Sequence, residues 1–165
     1  MSNDLPDPPA DGKAHAGSGS PAGDTGSGET GESQWVEVML KRVVIQEDTD
    51  RQCIFLHERR GERGFAIVIG NHEAGEIQRV LARVESERPL THRLLHDAIA
   101  ALGGELTGIK IVTVHESTYY ARLEVARDGE PHATVDARPS DAIALALRAR
   151  CPIHVSEAVL AAASS

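Results

Sequence analysis

The stretch Asp136-Ala137-Arg138-Pro139-Ser140-Asp141 brings two carboxylates, a guanidinium and a hydroxyl together, then runs into the apolar segment 142–147. Carboxylates take protons or hold divalent cations, and a guanidinium grips phosphate with a planar pair of donors. Asp136 and Asp141, with Glu73 elsewhere in the chain, are thus acids of the kind that bind Mg²⁺ and assist phosphodiester hydrolysis. Two further places carry similar groups. His72-Glu73 follows an apolar run, and Thr91-His92 opens another segment with His96 four residues on. His92 and His96 have the spacing of two helical metal ligands, but no Glu stands between them as in a zinc-protease HExxH and no third ligand is evident. A structural account competes at every one of these positions. Asp141 or Glu73 in a first helical turn favours the dipole, and Arg138 can simply pair with a neighbouring acid. The sequence does not by itself bring Glu73, Asp136 and Asp141 together.

The elements that must position these groups follow from periodicity. Val36, Val38 and Leu40 alternate with polar residues, and Val43-Val44-Ile45 continues the strand. Cys53–Leu56 is a second strand. After the charged loop Arg59–Gly64 comes a third, Phe65–Ile69, which is apolar throughout and so expected at the centre of the sheet. Asn71 is placed to cap a helix whose stripe is Ala74, Ile77, Leu81 and Val84. Thr91 is placed to cap the next, with Leu94, Leu95, Ala98, Ile99 and Leu102 as a wide apolar face and Gly103-Gly104 as its stop. The short link between them predicts an αα-hairpin laid on the sheet. Strands return at Ile109–Val114, Tyr119–Val125 and around Ala133 and Val135, with Asp128-Gly129 as a hairpin turn. In the last of these, Ala133 and Val135 alternate with His132, Thr134 and Asp136. Pro139 suits the first position of a helix, and because residues 142–147 are apolar all round, that helix should be buried. Pro152–Val155 is a short closing strand, and Ser156 caps a final helix through Ala163. The fold class expected is α+β: a mostly antiparallel mixed sheet, with the αα-hairpin and further helices packed on it.

Composition narrows the partners. The 165-residue chain has a formal charge of −8. Residues 1–33 contribute Asp4, Asp7, Asp11, Asp24, Glu29 and Glu32 against Lys13 alone, so the remainder is only mildly acidic. Residues 1–33, rich in Gly, Ser, Pro and Asp, read as a disordered tail, and 34–165 as one domain. No basic nucleic-acid footprint is visible, and aromatics, at 3%, give few stacking platforms. Arg59, Arg60 and Arg63 make one small basic loop, for which solvation is the simpler reading. Cys53 and Cys151 form no CxxC, and no apolar signal or membrane-spanning stretch appears, which points to a cytoplasmic protein. There is no GxSxG, Walker A loop or GxGxxG. His57, His115, His132 and His154 look like ordinary strand positions.

The order of several segments carries a resemblance. Ile67-Val68-Ile69-Gly70 with Glu73, Arg88-Pro89-Leu90-Thr91-His92 with Leu94-Leu95, Tyr119-Tyr120-Ala121 with Leu123, and Asp136–Ala142 with Pro152-Ile153 and Val155 occur in succession. Together they resemble the bifunctional nuclease (BFN) domain family over roughly Val36 to Leu160. The resemblance implies a compact α+β domain that self-associates and a nuclease activity on DNA and RNA. The positions that match the family pattern are Glu73, Arg88, Thr91, His92, Asp136, Arg138, Ser140 and Asp141. Where the family commonly has Asp after Thr-His this chain has Arg93, and Ala137 stands where Ser is frequent. Two expectations follow. In one, Asp136, Asp141 and Glu73 hold Mg²⁺ or Mn²⁺, these groups with His92 carry the catalysis, and Arg138, Arg88, Ser140 and Thr91 bind the nucleic-acid substrate. In the other, a non-catalytic oligomeric module uses the same cluster structurally or for a small anion.

Overall fold

Two three-stranded meanders are joined edge to edge by one short strand. The computed structural model describes residues 34–163; the expected tail, 1–33, lies outside them. The first meander is β1 (Trp35–Val44), β2 (Arg51–Glu58) and β3 (Gly64–Gly70). Helices α1 (Asn71–Ala82) and α2 (Thr91–Ala101) follow, and then the second meander, β4 (Gly104–His115), β5 (Thr118–Arg127) and β6 (Glu130–Ala137). Helix α3 (Pro139–Ala149), strand β7 (Ile153–Ser156) and helix α4 (Glu157–Ala163) complete the domain. The sheet order is β3-β2-β1-β7-β4-β5-β6, antiparallel at every junction except the parallel β4–β7 pair. This is the α+β class with a mostly antiparallel mixed sheet.

Alternation in each strand selects one face for the core. Val38, Ile54, Leu56, Ile67, Ile109, Ile111, Leu123, Ile153 and Val155 are buried together, and they face Ala142–Ala146 of α3 and Ala74 and Ile77 of α1. The all-apolar stretch of α3 is buried as its sequence requires. The sheet also curls: Phe65 of β3 stacks on Tyr119 of β5 with ring centroids 5.6 Å apart, although four strands lie between β3 and β5 in sheet order. Asp128 and Gly129 adopt φ of 54° and 83°, the geometry of the expected two-residue hairpin turn. Ser156 Oγ accepts a hydrogen bond from Val159 N–H at 3.3 Å and so caps α4.

Several expectations are corrected. β3 is an edge strand, not a central one. Phe65, Ile67 and Ile69 point into the core, while Ala66 and Val68, also apolar, stand on the open side, Val68 at 54% exposure. An unbroken apolar run does not distinguish two covered faces from one covered and one bare. Helices α1 and α2 follow one another, but each packs mainly on α3, which lies between them. The α1 stripe is buried only at Ala74 and Ile77; Leu81 and Val84 are exposed. None of the α2 residues is fully buried, and Leu94, Leu95 and Leu102 stay exposed. Neither Asn71 nor Thr91 is a cap: the N-cap positions are Gly70 and Leu90, without side-chain cap bonds. The loop arginines are mostly consumed. Arg59 pairs with Glu37, and Arg63 with Glu58 and Glu157.

Asn71 is instead tied to Gln52, a fully buried amide on β2. Gln52 Oε1 accepts the Gln46 N–H, and its Nε2 donates toward the Gln46 and Thr49 carbonyls and Asn71 Oδ1, at 2.5 to 3.0 Å. Asn71 Nδ2 donates onward to Asp50. This network fixes the turn before β2 against the start of α1. Gln52→Leu keeps the volume but strands those backbone groups, so unfolding free energy in a urea titration is expected to fall by about 1–3 kcal/mol.

Candidate functional site

Three helices begin at one place. Glu73 lies in the first turn of α1, His92 in that of α2, and Asp141 in that of α3, with Arg138 as the N-cap residue of α3. None of the three N-caps is filled by a side chain, so backbone N–H groups and the positive dipole ends converge there. The side chains form a chain of bonds. Arg138 Nη2 donates to Glu73 Oε1 at 2.6 Å, and its Nε donates to Asp141 Oδ2 at 2.7 Å. His92 Nε2 meets the other Asp141 oxygen at 2.9 Å. Burial works to raise the Asp141 carboxyl, but hydrogen bonds from Arg138 and His92 outweigh it and hold the group below the usual carboxylate range. The bond to Asp141 in turn raises the Arg138 guanidinium.

Gly70 makes room for this arrangement. A Cβ there would come within 2.6 Å of Glu73 Oε2, so the end of β3 is bare where the carboxylate folds back. Arg138 is the exposed member, at 68% of its side chain, against 14% for Glu73, 16% for His92 and 27% for Asp141. Arg138 and Glu73 border a cleft of about 660 Å³ between the β3 edge and the β4–β5 hairpin. Ser117, Thr118, Tyr119 and Ser140 line it too, whereas Asp141 and His92 stand behind Arg138. The hairpin residues were not among the sequence candidates for the site. Only the curl of the sheet carries them to it, and Tyr119, within one of the resemblance segments, was the one available signal.

Of the eight candidates, the structure joins Glu73, His92, Arg138 and Asp141. Ser140 is buried beside them, at the cleft wall. Asp136 stands apart. Its neighbours Val135 and Ala137 pair with the buried Leu123 and Ala121, so Asp136, opposite Arg122, stands on the other face of β6, an edge strand on which Val135 itself is exposed. Arg88 and Thr91 are exposed and share no bond with the cluster; the Arg88 carbonyl accepts Ser86 Oγ. Arg93, in place of the family's Asp, pairs with Glu85 at 2.9 Å and Asp97 at 3.6 Å.

The expected Asp136–Asp141–Glu73 metal triad is not assembled. Among the described residues no group of three or more His, Cys, Asp or Glu side chains is arranged to hold a metal ion. The two carboxylates that do converge share the Arg138 guanidinium, which sits where a cation would. This donor set does not fit a resident divalent ion. His92 and His96 make separate contacts, with Asp141 and Asp97. Cys53 and Cys151 are half-buried, and burial pushes the Cys151 thiol up to about 11.

The site is thus an arginine-bridged carboxylate pair at converging helix starts on a mixed α+β sheet. The comparisons place that architecture. The bifunctional nuclease domain matches residues 54–165, and the chain belongs to that family. It is 42% identical over 127 residues to an uncharacterized protein of Mycobacterium tuberculosis, covering 77% of this chain and 75% of the relative. It is 34% identical over 80 residues to Bifunctional nuclease 2 of Arabidopsis thaliana, covering 47% of this chain and 24% of the plant protein. It is 28% identical over 81 residues to Bifunctional nuclease 1 of Oryza sativa subsp. indica, covering 48% and 24%. Among the described residues no helix is long and apolar enough to cross a membrane.

Proposed function

We propose that this domain is a cytoplasmic nuclease that hydrolyses phosphodiester bonds of DNA and RNA in the cleft bordered by Glu73 and Arg138. The observation that carries this reading is the pairing of an exposed guanidinium with a largely buried carboxylate at three uncapped helix starts. Arg138 grips a non-bridging phosphate oxygen, helped by the convergent helix dipoles. Release of Glu73 from Arg138, as phosphate takes its place, frees the carboxylate to accept the proton of the attacking water. The water oxygen forms the new P–O bond, the P–O bond to the leaving oxygen breaks, and that oxygen takes a proton from solvent to leave as the alcohol. Asp141 and His92 act through Arg138, holding its guanidinium toward the cleft. No step runs through a divalent cation, because Arg138 holds the place between the carboxylates.

One observation favours the second reading, a non-catalytic binding module: both carboxylates bond the same guanidinium, so Arg138 is already committed to partners within the cluster. A single assay separates the two. Purified protein is incubated with single- and double-stranded DNA and with RNA, in Mg²⁺, in Mn²⁺ and in EDTA. Cleavage that persists in EDTA supports the arginine–carboxylate mechanism. Cleavage abolished by EDTA means that Glu73 and Asp141 leave Arg138 to take a cation. No cleavage under any condition supports the module.

Self-association belongs to the same reading. Leu90, Leu94, Leu95 and Leu102 are exposed along α2, and a second copy of the chain is the occupant proposed for that face. Sedimentation is expected to give an assembly larger than one chain that Leu94→Glu/Leu95→Glu returns to the monomer; a monomeric wild type overturns it.

A further inference from the structure

A cationic concavity lies at the far end of the α1–α3 pair. The two helices start together at the Glu73–Arg138 bridge and finish around a cavity of about 480 Å³. Arg79, Arg83, Arg148 and Arg150 line it, with Leu81 and Val84 as part of its apolar wall.

Acid does not balance these four charges. Glu76 is held by Arg148 at 2.6 Å and by Arg79 at 3.3 Å. Glu85, at the rim, is taken by Arg93. Among the described residues Arg83 and Arg150 show no side-chain ion pair or hydrogen bond, and Arg148 Nε is buried without an acceptor. A basic residue in a last turn suits the helix dipole, which accounts for Arg79 and Arg148. It does not account for the next residues along. Arg83 and Arg150 are both C-cap residues in the left-handed region, at φ of 55° and 57°, where glycine is the usual choice. Two unpaired guanidiniums thus occupy unfavourable backbone positions on one rim, beside a donor lacking an acceptor. Leu81 and Val84, exposed at 53% and 58%, add an apolar wall that water alone does not require.

We infer that this cavity binds a nucleotide phosphate, with the arginines on the phosphate oxygens and Leu81 and Val84 against the sugar and base. The inference deepens the nuclease reading and rests on it for the source of the ligand. Arg138 and Arg150 flank the two ends of α3, about 18 Å apart at 1.5 Å per residue, a span that a short single strand covers. The cavity would then hold the substrate strand away from the cut.

The test uses the full chain. Binding of a 5′-phosphorylated single-stranded oligonucleotide is followed by fluorescence anisotropy across a salt series. Binding of a free nucleoside 5′-monophosphate is followed by calorimetry. Arg83→Gly/Arg150→Gly removes both unpaired cations and places glycine where the backbone favours it, so the thermal midpoint should not fall. The variant is expected to bind the oligonucleotide about tenfold more weakly or worse, with its salt slope reduced by about 1.4 for two lost phosphate contacts. Its cleavage of bis(p-nitrophenyl) phosphate, too small to reach the cavity from the cleft, should be unchanged. Loss of oligonucleotide binding alone identifies a strand as the ligand, and loss of mononucleotide binding identifies a free nucleotide; either supports the cavity. Equal affinities and slopes in wild type and variant overturn it, as does absence of binding to the wild type. The nuclease reading fails separately, when the wild type cleaves nothing while arginine-dependent binding persists.

Discussion

Glu73→Gln is expected to lower phosphodiester cleavage by about 10²- to 10⁴-fold, the range for loss of a general base. The substitution keeps the shape of the side chain and an oxygen for Arg138, so the α1 start and the Gly70 contact should survive. Only the ability to take a proton is lost. The defect is therefore expected in kcat, with KM changed little. Arg138→Lys is the complementary change. It preserves the charge but not the planar fork that bonds Glu73 and Asp141 together, and a loss of about 10²-fold or more is expected. Asp136→Asn is the control: on the opposite face of β6, it should leave the rate unchanged. Full activity in folded Glu73→Gln would remove this carboxylate from the chemistry or point to contamination, and equal losses in Asp136→Asn would point to another site.

The second large effect is on stability. Glu76 has only 3% of its side chain exposed and is bonded by Arg148 from α3 and by Arg79 from its own helix. Burial opposes the charge on Glu76, yet the two arginines, Arg148 above all, hold its carboxyl below the ordinary 4.5. Glu76→Leu would leave the largely buried Arg148, 20% exposed, with neither Nε nor Nη2 satisfied. Unfolding free energy from urea titration is expected to fall by about 3–5 kcal/mol, the cost of breaking rather than replacing a buried pair. The sign with pH follows from the lowered pKa. The contribution is fully present above the unfolded value near 4.5 and is lost as pH falls through the lower folded value. Acid should thus narrow the gap between wild type and variant. A loss below about 1 kcal/mol, as for a surface pair, would show that water reaches Arg148 freely.

The sequence alone determined most of the local structure. Alternation in Val36-Val38-Leu40, the Asp128-Gly129 turn, Pro139 before an all-apolar run and Ser156 before the last helix each specify a conformation within a few residues. The structure has these elements where they were expected. The resemblance segments also marked the residues of the cluster. The sequence even held the reason that Asp136 cannot join Asp141. The period of two that puts Ala133 and Val135 on the face shared with Leu123 puts Asp136 on the other, and one residue of parity outweighs closeness along the chain.

Neighbours are another matter, because a strand's pattern says which face is covered but not what lies beside it. β7 was legible as a short closing strand, yet it lies between β1 and β4 and welds the two meanders. β3 was legible as apolar, yet it is an edge. The wide apolar face of α2 was legible, but not that much of it would remain uncovered. Only tertiary contacts place the start of α1 against that of α3, 65 residues away, so that Arg138 meets Glu73, and only the same packing gathers four arginines at the other end. Local patterns are decided by the φ/ψ and burial preferences of adjacent residues. The site is decided by long-range packing of elements whose surfaces could have met in other ways.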